Sequence, residues 1–190
     1  MGYLKHTVNY GLVYAKPHHE VSSIRILQYC DSDHAGATDR VSHSGSMILQ
    51  EAGSVKHCVN WVSKRQSSVS LSSTEAEICA IVDALRGLDE VIDLIDATIG
   101  KREVVILVDN DAAASACRRG YSQQITYMSK TRSIQLIWIP SYILACDAVI
   151  ERIHTSENVS DMQTKILGRV ALQNLLLISG VGNVIAVKQD

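Results

Sequence analysis

The spacing of apolar and polar residues changes several times along this chain, and each change marks an element. Ile24 to Asp31 reads as a strand, followed by a turn at Asp33-His-Ala-Gly36. Ser46 to Leu49 and Val55 to Val62 read as two more strands, with Gly53 punctuating the hairpin between them. The period then lengthens. Ile81, Leu85, Leu88, Ile92 and Ile95 recur at helical spacing, Ser72, Ser73 and Thr74 are good N-caps, and Gly100 ends the run, which predicts one long helix. Val104 to Val108 is continuously apolar and mostly β-branched, the pattern of a strand covered on both faces. Asp111 and the alanines after it open a short helix that Gly120 closes. Residues 121–145 predict a helix interrupted at Pro140, Ala148 to Ile153 a strand, and Glu157 to Ile178 a single amphipathic helix. No clear pattern follows Gly180. The order is an α/β arrangement, a mixed five-stranded sheet flanked by helices.

Composition narrows the picture modestly. At 190 residues the chain is one domain, with or without appendages, and is long enough for a substantial core. A net charge of −2 means that any claim of nucleic-acid binding must rest on local charge. The cysteines, Cys30, Cys58, Cys79, Cys117 and Cys146, are scattered and odd in number, with no CxxC. Neither a zinc site nor a disulfide framework is indicated, and buried reduced thiols are expected. No segment reaches transmembrane length, and Met1 to Tyr14 lacks the apolar core of a signal peptide, so the expected location is intracellular, cytoplasmic or nuclear, without a membrane partner.

The candidate chemistry is acidic. Asp31-Ser-Asp33, Glu75-Ala-Glu77 and Asp109-Asn-Asp111 each stand where an element begins or ends, and Asp161 stands in a fourth segment, Glu157-Asn-Val-Ser-Asp161. Carboxylates brought together repel unless a cation offsets them. Oxygen ligands without a Cys/His cluster suit Mg²⁺, with Mn²⁺ a substitute, rather than zinc. The pattern therefore points to a two-metal phosphodiester site. Within the pairs, Asp31 and Asp109 close strands, where sheet folds place their sites. Asp109 caps an apolar strand, a costly position for a carboxylate without a cation or donors. Asp33 reads as a turn residue and Asp111 as a helix N-cap. Glu77 precedes Ile81 by four residues and faces the sheet, whereas Glu75, roughly 200° round the helix, is expected to face solvent. A cap or an ion pair explains any one of these acids alone; their joint arrangement points to metal chemistry.

Several segments resemble the ribonuclease H domain of copia-type (Pseudoviridae) LTR retrotransposon polyproteins. They are Tyr29-Cys-Asp-Ser-Asp-His-Ala-Gly36, Trp61-Val-Ser-Lys-Arg-Gln66, Leu71-Ser-Ser-Thr-Glu-Ala-Glu77, Val108-Asp-Asn110 and Thr155-Ser-Glu-Asn-Val-Ser-Asp161, in order and in register from about residue 24 to 168. Tyr3 to Tyr14 resembles the segment joining reverse transcriptase to that domain. The resemblance divides the chain into a connection-like segment (1–20), a ribonuclease H-like domain (21–179) and a tail (180–190). It implies the ribonuclease H fold and metal-dependent cleavage of the RNA strand of RNA–DNA hybrids. It assigns Asp31, Glu77, Asp109 and Asp161 as catalytic ligands of two Mg²⁺ ions. It also implies a reverse transcriptase partner in a parent polyprotein, in a cytoplasmic virus-like particle or the nucleus. The chain departs from the family at His34, where Trp is usual, and around Tyr127 to Ile139, where a basic, His-containing helix is common. Cellular ribonucleases H carry a mobile His before the last Asp. Here His154 is the nearby counterpart, an auxiliary candidate for proton transfer or product release, the alternative being a partly buried structural His.

Substrate contacts are expected from acid-free stretches. Gly53 to Thr74 holds Lys56, Lys64 and Arg65, and Ala112 to Cys146 holds Arg118, Arg119, Lys130 and Arg132, with Tyr121 and Tyr127 among them. The last four basic residues are candidates for binding phosphates. Ser72, Ser73 and Thr74 are candidates for the 2′-hydroxyl face of a hybrid, and Asn110 joins them from the Val-Asp-Asn motif. Two other readings stand beside the nuclease. One is a catalytically inactive, retroelement-derived module that binds nucleic acid or a protein partner. The other is a DNA-cutting nuclease of the same superfamily.

Overall fold

The computed structural model describes residues 7–17, 21–36 and 38–183. Residues 1–6 and 18–20 of the segment expected to be connection-like, and residues 184–190 of the expected tail, lie outside the described residues. Five strands form the main sheet: β2 (Ile24–Asp33), β3 (His43–Ala52), β4 (Val55–Arg65), β5 (Arg102–Val108) and β6 (Ala148–Arg152). Their order is β4-β3-β2-β5-β6, with β2–β3 and β3–β4 antiparallel and β2–β5 and β5–β6 parallel. A second, two-stranded sheet pairs β1 (Tyr10–Leu12) with β7 (Val181–Asn183), antiparallel. A strand therefore stands at 181–183, where the sequence pattern shows none.

The central strands are buried on both faces, as the apolar run in β5 predicts. Ile26, Cys30, Ile48, Val104, Ile106 and Val108 pack on one side of the sheet, and Leu27, Tyr29, Met47, Leu49, Val105 and Leu107 on the other. Each such aliphatic side chain contributes about 1.5–3 kcal/mol by leaving water. The first side is covered by α1 (Ser73–Leu85), α2 (Asp89–Thr98), α3 (Asp111–Arg119) and α4 (Lys130–Ala145). On the other, α6 (Arg169–Ile178) supplies Leu175 to the core.

Three helix expectations are corrected. The long helix is two, α1 and α2, separated by the turn Arg86-Gly87-Leu88. The apolar stripe still runs through the break, because Leu85 before it and Leu88 within it both remain buried. Pro140 does not interrupt α4, which continues to Ala145. Its ring rests against Gly120, where a Cβ would come within 3.2 Å of Pro140 Cγ, so the bare glycine makes room for it. Finally, the helix expected over 157–178 is a single turn at Thr155–Glu157, the short α5 (Asp161–Thr164) and α6. Lys165 leaves α5 in an extended conformation and Gly168 caps the next helix.

Candidate metal centre at the carboxyl edge of the sheet

Register explains why two of the acids meet. Tyr29 of β2 lies opposite Leu107 of the parallel β5. Carried two residues further, that register leaves Asp31 and Asp109 side by side at the carboxyl edge. Glu77 arrives from the first turns of α1, where Ser72 caps the helix by accepting the Glu75 N–H at 3.2 Å. Glu77 Oε1 then accepts the Ser32 N–H at 3.3 Å and its hydroxyl at 3.0 Å. Oxygens of Asp31, Glu77 and Asp109 lie within 4.8 Å of one another, and Asp31 and Glu77 are buried.

Asp161 is placed by its own motif. Asn158 is fully buried, donates to the Cys30 carbonyl at 2.9 Å, and accepts the Ser160 N–H at 3.3 Å, which clips the segment to β2 beside Asp31. Gly45, the partner of Asp31 across β2–β3, lets α5 approach: a Cβ there would meet Thr164 Cγ2 at 2.6 Å and Gln163 Cβ at 2.9 Å. Asp161 does not join the three-acid cluster directly. Lys165 Nζ stands between, donating to Asp31 Oδ1 at 2.9 Å and Asp161 Oδ1 at 2.8 Å, while the Thr164 hydroxyl donates to Asp31 Oδ2.

The electrostatics are those of a crowded, partly dry site. Burial, reinforced by Asp31 and Asp109, pushes the Glu77 carboxyl up to about 8. Burial also raises Asp31, to about 6, against the Lys165 and Thr164 hydrogen bonds that favour its charged form. Burial works against the Lys165 ammonium, yet its bonds to Asp161 and Asp31 hold its pKa above the ordinary lysine range. Glu77 Oε2 is buried and makes no hydrogen bond among the described residues. A buried oxygen without a donor, among three converging carboxylates, fits a hard divalent cation.

Comparison with solved structures bears on the fold. LC11-RNase H1 in complex with an RNA/DNA hybrid superposes with a TM-score of 0.50 at 18% identity, over 74% of this chain and 93% of that one. The chain has a ribonuclease H-like fold. No family model matches the sequence. The chain's sequence relatives include copia-type Pol polyproteins of plants. The retrovirus-related Pol polyprotein from transposon RE2 of Arabidopsis thaliana is 27% identical over 184 residues, 94% of this chain and 12% of the polyprotein. That from transposon TNT 1-94 of Nicotiana tabacum is 28% identical over 145 residues, 74% of this chain and 10% of the polyprotein. A secreted RxLR effector protein of Plasmopara viticola is 37% identical over 83 residues, 43% of this chain. The chain thus spans about half of that effector (53%) and about an eighth of the RE2 polyprotein (12%).

Other candidate residues of this ribonuclease H-like domain fall in several places. Glu75 does not face solvent, a correction: it is 3% exposed and pairs with Arg132, itself 7% exposed. The Glu75 carboxylate turns back to accept the Leu71 N–H at 2.7 Å, and α4 covers it. The Arg132 guanidinium also donates to Ser68 and Ser70, so it is committed inside the fold and is not displayed to a phosphate backbone. Arg118 is exposed and donates to the Ile150 carbonyl at 2.7 Å. Arg119 lies over the Tyr121 ring at 5.4 Å, and Lys130 is exposed at the start of α4. Lys56, Lys64 and Arg65 pair with Glu51, Asp83 and Asp39. A stretch free of acids in sequence is therefore not free of them in space. The α3 cap is Asn110, which accepts the Ala113 N–H at 3.0 Å, and not Asp111, which pairs with Arg152 at 3.1 Å. Ser73 is exposed and Thr74 half-buried. His34 holds its loop to the Ser70 carbonyl at 3.1 Å. His154 is exposed rather than partly buried, its Nδ1 engaged with Ser156. Sequence reasoning missed Lys165; its signal was the four-residue spacing from Asp161.

Proposed function

We propose that this chain is a metal-dependent endoribonuclease that cleaves the RNA strand of RNA–DNA hybrids, as part of a retrotransposon-type polyprotein with reverse transcriptase. The observation that carries this reading is the convergence of Asp31, Glu77 and Asp109 around a buried, unpartnered Glu77 oxygen. Asp31, Glu77 and Asp109 would hold divalent Mg²⁺ or Mn²⁺, with Asp161 completing the set. Two such ions supply activation of the attacking water and stabilisation of the leaving 3′-oxygen. The protein supplies rigidity. Asp31 is held within the last residues of β2 by its pairing with Gly45, Asp109 directly follows β5, and Ser32 fixes one oxygen of Glu77 while the other stays available. No side chain need act as nucleophile. Ser73 and Thr74 at the mouth of α1 offer hydroxyls to a minor-groove face, and Arg119 and Lys130 offer charge to phosphates. The solved hybrid complex of LC11-RNase H1 supports the substrate class by analogy of fold alone.

The non-catalytic module is the second reading, and one observation favours it: Lys165 already ties Asp31 to Asp161. The test is cleavage of end-labelled RNA–DNA hybrid, double-stranded DNA and double-stranded RNA with Mg²⁺, Mn²⁺ or EDTA. The nuclease reading expects metal-dependent cutting confined to the RNA of the hybrid, and its loss in Asp31→Asn with the fold intact. Binding of the hybrid without cutting in Mn²⁺ establishes the module instead. Cutting of double-stranded DNA assigns the third reading.

A further inference from the structure

Three acids of the centre meet directly, whereas the fourth is joined to them through an ammonium. Lys165 Nζ is 2.9 Å from Asp31 Oδ1 and 2.8 Å from Asp161 Oδ1. The two acids are sunk, with side chains 1% and 8% exposed, but the Lys165 side chain is 35% exposed. The lysine therefore has a way out to water that its partners lack. Its place just after α5, four residues from Asp161, explains the Asp161 pairing alone. The Asp31 pairing crosses from the exit of α5 to β2 and exists because α5 docks over Gly45.

We propose that the Lys165 ammonium is a built-in occupant of the second cation position. It offsets one of the two charges of Asp31 and Asp161 while the cluster holds one divalent ion or none, and it swings toward solvent when a second ion draws Asp161 in. The inference rests on reading the acidic cluster as a metal centre. Charge favours the exchange. With the ammonium and one divalent ion the four carboxylates stay one charge short of neutrality, and two divalent ions balance them. An ammonium also fills the position without the cost of stripping water from a small, strongly hydrated ion. The first ion belongs to Asp31, Glu77 and Asp109, whose oxygens converge without Asp161. Occupancy of the second position thus becomes a competition between a tethered single charge and a free double one.

A lysine that only fastens α5 to β2 gives a different outcome, so the two roles separate by experiment. The full chain is compared with Lys165→Met and Lys165→Arg by calorimetric titration with Mn²⁺ and by melting with and without it. The expected result for Lys165→Met is a lower metal-free melting temperature, together with a second Mn²⁺ equivalent bound at least about tenfold more tightly, the scale on which a close opposite charge biases a carboxylate. Lys165→Arg, which keeps the charge, stays near wild type. Unchanged or weaker Mn²⁺ binding in Lys165→Met overturns the proposal and leaves a structural tether. A second measurement does not depend on that variant folding. In the wild-type chain, the ¹⁵N-labelled Lys165 ammonium resonance, observable while it is held in hydrogen bonds, persists through the first Mg²⁺ equivalent and vanishes with the second. Its survival at Mg²⁺ saturation overturns the proposal. Failure of wild type and variant alike to take up any metal removes the metal-centre reading, and this inference with it.

Discussion

Glu77 bears the largest electrostatic burden of the site, and its consequence is a pH dependence. The folded chain keeps a proton on Glu77 up to about pH 8, whereas an ordinary glutamate releases it near 4.5. Between those values the folded state binds more protons than the unfolded one, so stability falls as pH rises. Asp31, raised from 3.8 to about 6, adds to the decline in the lower part of that window. The Lys165 shift lies above it and contributes no slope there. The metal-free melting temperature is therefore expected to fall from pH 5 to pH 8, with Glu77 contributing roughly 1.4 kcal/mol per pH unit inside its window. Glu77→Gln should flatten the fall and make the metal-free protein more stable than wild type at pH 8, while removing the Mg²⁺-induced rise. Melting curves across pH, with and without Mg²⁺, check this; a steeper fall in Glu77→Gln contradicts the assignment. That Glu77 turns toward the sheet and meets Asp31 and Asp109 was legible in the helical stripe, which Glu77 extends. The fate of Glu75 was not. Its position round the helix pointed outward, and only the packing of α4 over the first turn of α1 buries it.

Among elements, the docking of α4 and α5 matters most. Arg132 joins α4 to the start of α1 through a buried pair with Glu75. Arg132→Met leaves that carboxylate without its partner and is expected to cost about 3–5 kcal/mol, measurable by urea unfolding. Its removal should leave the salt dependence of hybrid binding unchanged. Neutralising Arg119 and Lys130, both exposed, should instead lower the salt slope by about 0.9 for each phosphate no longer neutralised, in the B-DNA approximation. On the other face, Gly45→Val places a side chain where Thr164 and Gln163 sit. Overpacking of this kind costs about 1–3 kcal/mol. Here it should also push Asp161 and Lys165 away from Asp31, so cleavage should fall while one Mn²⁺ equivalent is still bound; titration calorimetry beside a cleavage assay checks both. Element order was readable from periodicity, including the doubly covered β5. Helix boundaries were less so, because the breaks at Arg86–Leu88 and Lys165–Gly168 leave an apolar pattern running across them. Nor did linear charge report spatial charge: Lys56, Lys64 and Arg65 lie in an acid-free run, yet each has found an acid from another segment.

For the whole molecule, the resemblance carried in five short motifs matches the ribonuclease H-like fold and the polyprotein relatives. The meeting of Asp31 and Asp109 follows from strand order, since β2 and β5 are parallel neighbours and their register sets the two acids level just beyond Val108, while Glu77 joins them from α1. That adjacency of distant segments is a property of topology, which local patterns narrow but do not determine. The small β1–β7 sheet is a further case. Tyr10 lies opposite Asn183, and Leu12 opposite Val181. With the first and last described strands shoulder to shoulder, the backbone between them is nearly a closed ring, with its opening a matter of choice. A circular permutant of residues 7–183 that joins Asn183 to Thr7 by a short Gly/Ser linker and opens at Gly53 should fold to the same structure. Gly53 forms an exposed hairpin turn with nothing packed within 4 Å of an added Cβ, the kind of site where permutation succeeds. Matching circular dichroism and a cooperative melt within a few degrees of the parent are expected. Such a permutant would carry new fusion points at the 53 turn, away from the small sheet that holds residues 10–12 beside 181–183.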